Sequence, residues 1–301
     1  MTTVTDAATL ADARPLDLSG KSGSRAAKNS IATVVMSLSF AIAVAPLAWI
    51  LWTVAVKGGH LLLNASWWTN SQQGITARRV GGGATHAIQG TLLQGAVTAA
   101  ISVPIGVLTA VYLVEYGRGK LARVVSFMVD ILTGVPSIVA GLFIYSVFMT
   151  TFGMQRAAIF VCLALTLLMI PTIVRSTEEM LKLVPNELRE ASYALGVPKW
   201  KTIFSIVLPT AFSGIVTGIL LGLARIMGET APLLILGPYT KAIASDLFSG
   251  NMATLPTMIN QDRDQALQPA VDRIWAASLT LIVLILILNL LGRFISSRSK
   301  V

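Results

Sequence analysis

One cysteine (Cys162) and two histidines (His60 and His86) in 301 residues leave this chain nearly without soft ligands or redox chemistry. A single thiol excludes an intramolecular disulfide. The two imidazoles have no second His, Cys or carboxylate at ligand spacing, so no metal site is expected. Charge is scarce as well: Asp, Glu, Lys and Arg fill 12% of positions, with 14 acidic residues against 23 basic ones. No G-x-x-x-x-G-K-[ST] stretch occurs, and Gly117-Arg118-Gly119-Lys120 lacks both the spacing and the hydroxyl of a phosphate-cradling loop. The apolar segments hold no nucleophile–base pair and no paired carboxylates, which argues against an enzyme.

Apolar residues are abundant instead. They make up 54% of the chain, mean hydropathy is +0.73, and the solvent such a sequence suits is lipid. Apolar runs place six spans at residues 29–56, 88–114, 128–152, 157–174, 207–235 and 274–293. Each is near the ~20 helical residues that a hydrocarbon core requires, and ten-residue alternating barrel strands are absent. Unpaired backbone groups are not tolerated in lipid, so the expected fold is an all-α integral membrane domain of six helices, residues 29–301.

With the amino terminus inside, the inner segments carry fifteen Lys and Arg residues and the outer segments seven, so both termini are expected in the cytosol. The net charge of +9 is then explained by residues flanking spans and meeting anionic headgroups, without nucleic acid. Residues 1–28 are polar, small and charged and read as a disordered cytosolic leader. The first span is too long for a signal peptide and reads as an uncleaved anchor. Cys162 reads as a packing residue.

Between the fourth and fifth spans lies an inner segment of unusual pattern. Pro185 opens a helix, Leu188, Ala191 and Leu195 recur at i, i+3 and i+7, and Gly196 with Pro198 supplies a stop, giving a short amphipathic helix over 185–198. Glu187, Arg189 and Glu190 keep it out of the bilayer. Its apolar stripe suits either a groove on another protein or the lipid interface.

The order Glu190-Ala191-Ser192, three residues, Gly196, nine residues, Ile206-x-Leu208-Pro209 resembles the EAA loop of permease subunits in bacterial ATP-binding-cassette importers. It departs from that loop only in Ser192, where a second Ala is usual. The resemblance implies a type I, MetI-like permease whose coupling helix, through Glu190, Ala191, Ser192 and Gly196, sits in a cleft of a separate ATPase. ATP and Mg would be bound by that partner, with no cofactor in this chain. A secondary transporter or channel has no need of such a loop.

The fifth span carries Arg225-Ile226-Met227-Gly228-Glu229-Thr230-Ala231-Pro232, a full charge and a carboxylate in apolar surroundings. A mid-bilayer Arg costs about 2.5–3.5 kcal/mol on insertion scales, so Arg225 should face a bundle interior, a cavity or a partner. Two readings stand side by side. Arg225 and Glu229, at i and i+4 of one helix, form a neutralised pair that holds helices together. Alternatively, the planar fork of Arg225 lines the path of an oxyanion, with Glu229 steadying it or accepting a proton from it. Gly134 and Pro136 in the third span read either as a hinge or as the ordinary Gly and Pro of a static membrane helix.

Arg225-x-x-Gly228-Glu229-Thr230-Ala231-Pro232, Gly134-Val135-Pro136-Ser137 and Ala253-Thr254-Leu255-Pro256 together resemble permease subunits of the phosphate importer. The resemblance implies Arg225, Glu229 and Thr230 as residues of the solute path. It also implies a PstC-type sister permease, two copies of a PstB-type ATPase, and a PstS-type phosphate-binding protein outside. Another oxyanion, such as phosphonate, sulfate or molybdate, is the alternative solute. The outer segment 236–272, with Asp262-Arg263-Asp264, is either a contact for the soluble partner or a solvated loop.

Overall fold

The computed structural model describes residues 23–298, and every regular element among them is helical. The chain divides into two units, Met1–Thr53 and Val54–Val301. Helix α1 (Gly23–Leu62) supplies the described part of the first unit, and its large apolar side chains over residues 31–52 are exposed. A helix that is apolar all round suits lipid rather than water. Residues 23–28, expected in the leader, are helical, and the remainder of that expected leader lies outside the described residues.

The second unit runs through α2 (Ala65–Thr69), α3 (Thr85–Val111), α4 (Gly119–Gly134), α5 (Ser137–Ile144) and α6 (Ala158–Lys182). It continues with α7 (Asn186–Ala194), α8 (Lys199–Thr202), α9 (Leu208–Met227), α10 (Ala231–Leu236), α11 (Leu255–Asp262) and α12 (Gln268–Arg298). A π-helical turn, Tyr112–Tyr116, prolongs α3, and another, Ile203–Val207, joins α8 to α9 in one rod. Among the described residues five helices are long and apolar enough to cross a membrane, and the bent pair Gly119–Gly134 and Ser137–Thr151 makes a sixth if taken as one span.

Helix α6 is the centre of this unit. Val161, Leu165, Met169 and Ile173 on it are buried against α3, α5, α9 and α10. Lipid tails are as apolar as Leu, so close packing rather than water exclusion must hold these helices, and small residues permit it. Gly218 of α9 shows this directly. A Cβ there would lie 1.8 Å from Ser176 Oγ and 2.7 Å from Ser176 Cβ, so only glycine lets α9 approach α6 this closely.

Two spans depart from continuous helices. The third bends by 107° between α4 and α5. Pro136 excludes helical geometry at Val135, whose ψ is 124°, and it lacks the amide that would continue the ladder. The fifth was expected to continue past Glu229 but stops at Met227. Pro232 has no N–H to offer the Gly228 carbonyl, and the chain restarts as α10 with that proline in its first turn. The two half-helices then meet, Gly141 of α5 lying against Pro232 of α10.

At the opposite end from α7, Trp67, Ala87, Leu255, Met258 and Ala277 form a separate core between α2, α3, α11 and α12. Trp67 Nε1 donates to Thr280 Oγ1 at 2.9 Å within it.

Candidate functional site

Helix α7 begins after Pro185 and ends in a turn that only a left-handed residue completes. The Val197 amide donates to Ser192 O (3.1 Å) and the Gly196 amide to Tyr193 O (2.9 Å), while Gly196 has φ +74°. This is the paired closure that caps helices when glycine follows the last turn. A Cβ at Gly196 would meet nothing within 4 Å, so the backbone angle, not space, calls for glycine.

Of the four expected coupling residues, Glu190, Ala191 and Gly196 are exposed, and Ser192 alone is buried, its hydroxyl on Thr202. Leu188, Ala191 and Leu195, the expected apolar stripe, are all exposed, with Leu195 at 83%. Among the described residues nothing covers that face of α7. Arg189, expected with Glu187 and Glu190 to keep this helix out of the bilayer, turns inward to Glu115 beyond the end of α3, and the two side chains are 12% and 6% exposed.

Arg225 sits two residues before the end of α9 and is exposed. The expected i, i+4 geometry with Glu229 does not arise, because Glu229 lies in the break between α9 and α10. Among the described residues no ion pair joins the two. The Gly228 amide folds back on Arg225 O at 3.2 Å, the Glu229 amide on Ile226 O at 3.2 Å, and the Thr230 carbonyl accepts from Leu234 at 3.1 Å. Arg225, Glu229 and Thr230 thus occupy one helix break, the signal for which was Pro232. Gly134 ends α4 and Pro136 precedes α5, so both flank the 107° bend.

The far end is built from buried polar contacts. Thr254 and Thr257 cap α11 reciprocally, and the Leu255 amide donates to Thr91 Oγ1 at 2.9 Å. The Ala253-Thr254-Leu255-Pro256 motif is thereby a fixture of the fold. Asp262 is buried and lies 3.8 Å from Arg273, whose guanidinium also donates to Arg79 O and Thr76 O, whereas Arg263 and Asp264 are exposed. His86 pairs with Tyr239, which donates to Gln72 Oε1 at 3.2 Å. Burial, then the Asp262 carboxylate, pushes the Tyr239 phenol well above the usual tyrosine value, against a smaller opposing pull from Arg273.

Among the described residues no three His, Cys, Asp or Glu side chains gather where they could hold a metal ion. Cys162 is buried, with Sγ 3.8 Å from Gln94 O.

Residues 102–301 match the family described as binding-protein-dependent transport system inner membrane component. Over 290 residues the chain is 50% identical to phosphate transport system permease protein PstA 1 of Mycobacterium tuberculosis, covering 95% of this chain and 94% of that protein. It is 40% identical over 280 residues to phosphate transport system permease protein PstA of Yersinia pestis, covering 92% of each. In structure it is similar to a chain of the inward-facing MetNI methionine ABC transporter, with TM-score 0.56 and 22% identity over 70% of this chain and 92% of that one. A chain of a bacterial alginate ABC transporter in complex with its periplasmic protein gives TM-score 0.60 at 13% identity over 90% and 94%. These two likenesses establish a shared fold.

Proposed function

The chain belongs to the family of binding-protein-dependent transport system inner membrane components, and from that premise we propose that it is a permease subunit importing inorganic phosphate. It is a multi-pass protein of the bacterial inner membrane and not itself an enzyme. Family members work with a separate ATPase and a binding protein. The proposed partners here are a PstC-type permease, two PstB-type ATPases carrying ATP and Mg, and a PstS-type phosphate-binding protein outside.

The observation that carries the solute reading is Arg225, exposed and without an ion-pair partner among the described residues, at a helix break inside an apolar span. A lone guanidinium facing lipid is costly, so it faces the sister permease or the aqueous path between the two. Its fork matches a tetrahedral oxyanion, and Glu229 and Thr230 follow it in the break. Near-full-length likeness to phosphate permeases favours phosphate over phosphonate, sulfate or molybdate.

In this reading α7, with Glu190, Ala191, Ser192 and Gly196, docks on the ATPase with both chain termini on the same, cytosolic side. Closure of the ATPase pair moves α7, and the bends at Gly134–Pro136 and Gly228–Thr230 absorb the change as access alternates.

The test is phosphate uptake by vesicles holding the complete transporter. Arg225→Gln should abolish uptake with assembly intact, and Arg225→Lys, which keeps charge without the fork, should lower it by about 10- to 100-fold. Unchanged uptake in Arg225→Gln removes Arg225 from the path, and equal competition by sulfate or molybdate removes phosphate as the particular solute.

A further inference from the structure

Arg189 places its donors on two elements at once. Nη1 donates to Val184 O at 2.7 Å and Nη2 to Leu181 O at 3.0 Å, closing the carbonyl end of α6. Nε donates to Glu115 Oε1 at 3.0 Å, at the tip of the π-helical turn that prolongs α3. Ten residues further on, the Lys199 ammonium donates to the Glu115 backbone carbonyl and lies 4.7 Å over the Tyr116 ring. The tip of the second span is therefore held from both sides of the α7 turn, once from within α7 and once from the start of α8.

The Arg189–Glu115 pair is also dry, at 12% and 6% side-chain exposure, so its charges are little screened and neither partner can be withdrawn cheaply. From Glu115 the second span runs as one rod back to Gly95, some 30 Å away at 1.5 Å per residue. A Cβ at Gly95 would lie 3.6 Å from Met227 Cγ, immediately before the break that holds Glu229 and Thr230. Two contacts and one continuous helix, which passes through Pro104, thus connect the exposed knob with the end of α9.

We propose that the Arg189–Glu115 ion pair is a positioning link that carries displacement of α7 along the second span to the Arg225 end of the fifth. This rests on the reading of α7 as the ATPase-docking element. A salt bridge suits the task because it resists both pull and push, whereas apolar contacts on α7 can slide.

The test uses the complete transporter in proteoliposomes, with ATP hydrolysis and phosphate uptake measured side by side. Glu115→Gln keeps the shape and removes the charge. It is expected to retain the ATPase on co-purification and to hydrolyse ATP, while phosphate taken up per ATP falls at least about fivefold, the low end of ordinary site-to-site coupling. In a second variant, Glu115→Cys with Arg189→Cys, a short bis-maleimide bridging the two thiols should restore uptake per ATP, which a general loss of stability would not permit. An unchanged ratio in Glu115→Gln overturns the link, and so does loss of the ATPase from that variant, which makes the pair a fold element only. Failure of the unaltered chain to retain any ATPase overturns the docking reading instead, so the two failures are told apart.

Discussion

Ser192 Oγ lies 2.8 Å from Thr202 Oγ1, and both side chains are buried. The position at which this chain departs from the Ala-Ala form of its loop is therefore the one that ties α7 to the base of the fifth span. Ser192→Ala leaves Thr202 with only a 3.4 Å bond to Pro198 O. The expected cost is about 1 kcal/mol, the usual net worth of such a bond. It should appear as faster amide exchange in α7 and α8 and a lower melting temperature of the purified permease. An unchanged exchange rate at Val197 and Thr202 would mean the hydroxyl pair adds nothing.

Gly196 separates backbone strain from crowding. With φ at +74° and open space around a built Cβ, Gly196→Ala should cost about 1–2 kcal/mol through the left-handed angle alone. Gly196→Asn should cost less, because Asn visits that region more readily. Retention of the ATPase on the solubilised complex is the readout, with the order Gly, Asn, Ala expected. If Ala retains the partner as well as Gly does, the cap is not what sets the knob.

Length and hydropathy made the spans legible because a membrane imposes them one residue at a time. The sequence also showed the amphipathic character of α7 and its glycine stop, which are local. What it hid was non-local or depended on one backbone amide. Glu115 and Arg189 are 74 positions apart, and no spacing rule joins a carboxylate at the end of one span to a guanidinium beyond another. The break after Met227 was readable from Pro232, but the i, i+4 spacing of Arg225 and Glu229 suggested a continuous helix. At Asp262-Arg263-Asp264 the charge cluster read as a partner contact or a solvated loop, and neither reading anticipates that Asp262 is buried against Arg273.

Helix α9 can be displaced from α6 by a single methyl. Gly218→Ala sets a Cβ 1.8 Å from Ser176 Oγ, and overpacking of this kind typically costs about 1–3 kcal/mol. Ser176→Gly removes both atoms that the new methyl would strike, so the double variant should recover most of the loss. Thermal melting of the four proteins measures the coupling. Additive losses would show that the two residues do not share the contact.

The end of the bundle away from α7 should respond to alkali in a defined direction. Tyr239 is held neutral by burial and by Asp262, so its folded value lies above the usual one near 10. A raised value in the folded state means that the neutral phenol is stabilising, fully so below the unfolded value. As pH climbs past about 10, the unfolded chain releases its proton first and that contribution is progressively lost. Tyr239→Phe should start less stable, since Gln72 and His86 lose their partner, and should show a shallower decline as pH rises above about 10. Melting curves of both proteins at stepped alkaline pH make the comparison. Parallel declines would place the sensitivity on other groups and remove Tyr239 from the account of this end of the bundle.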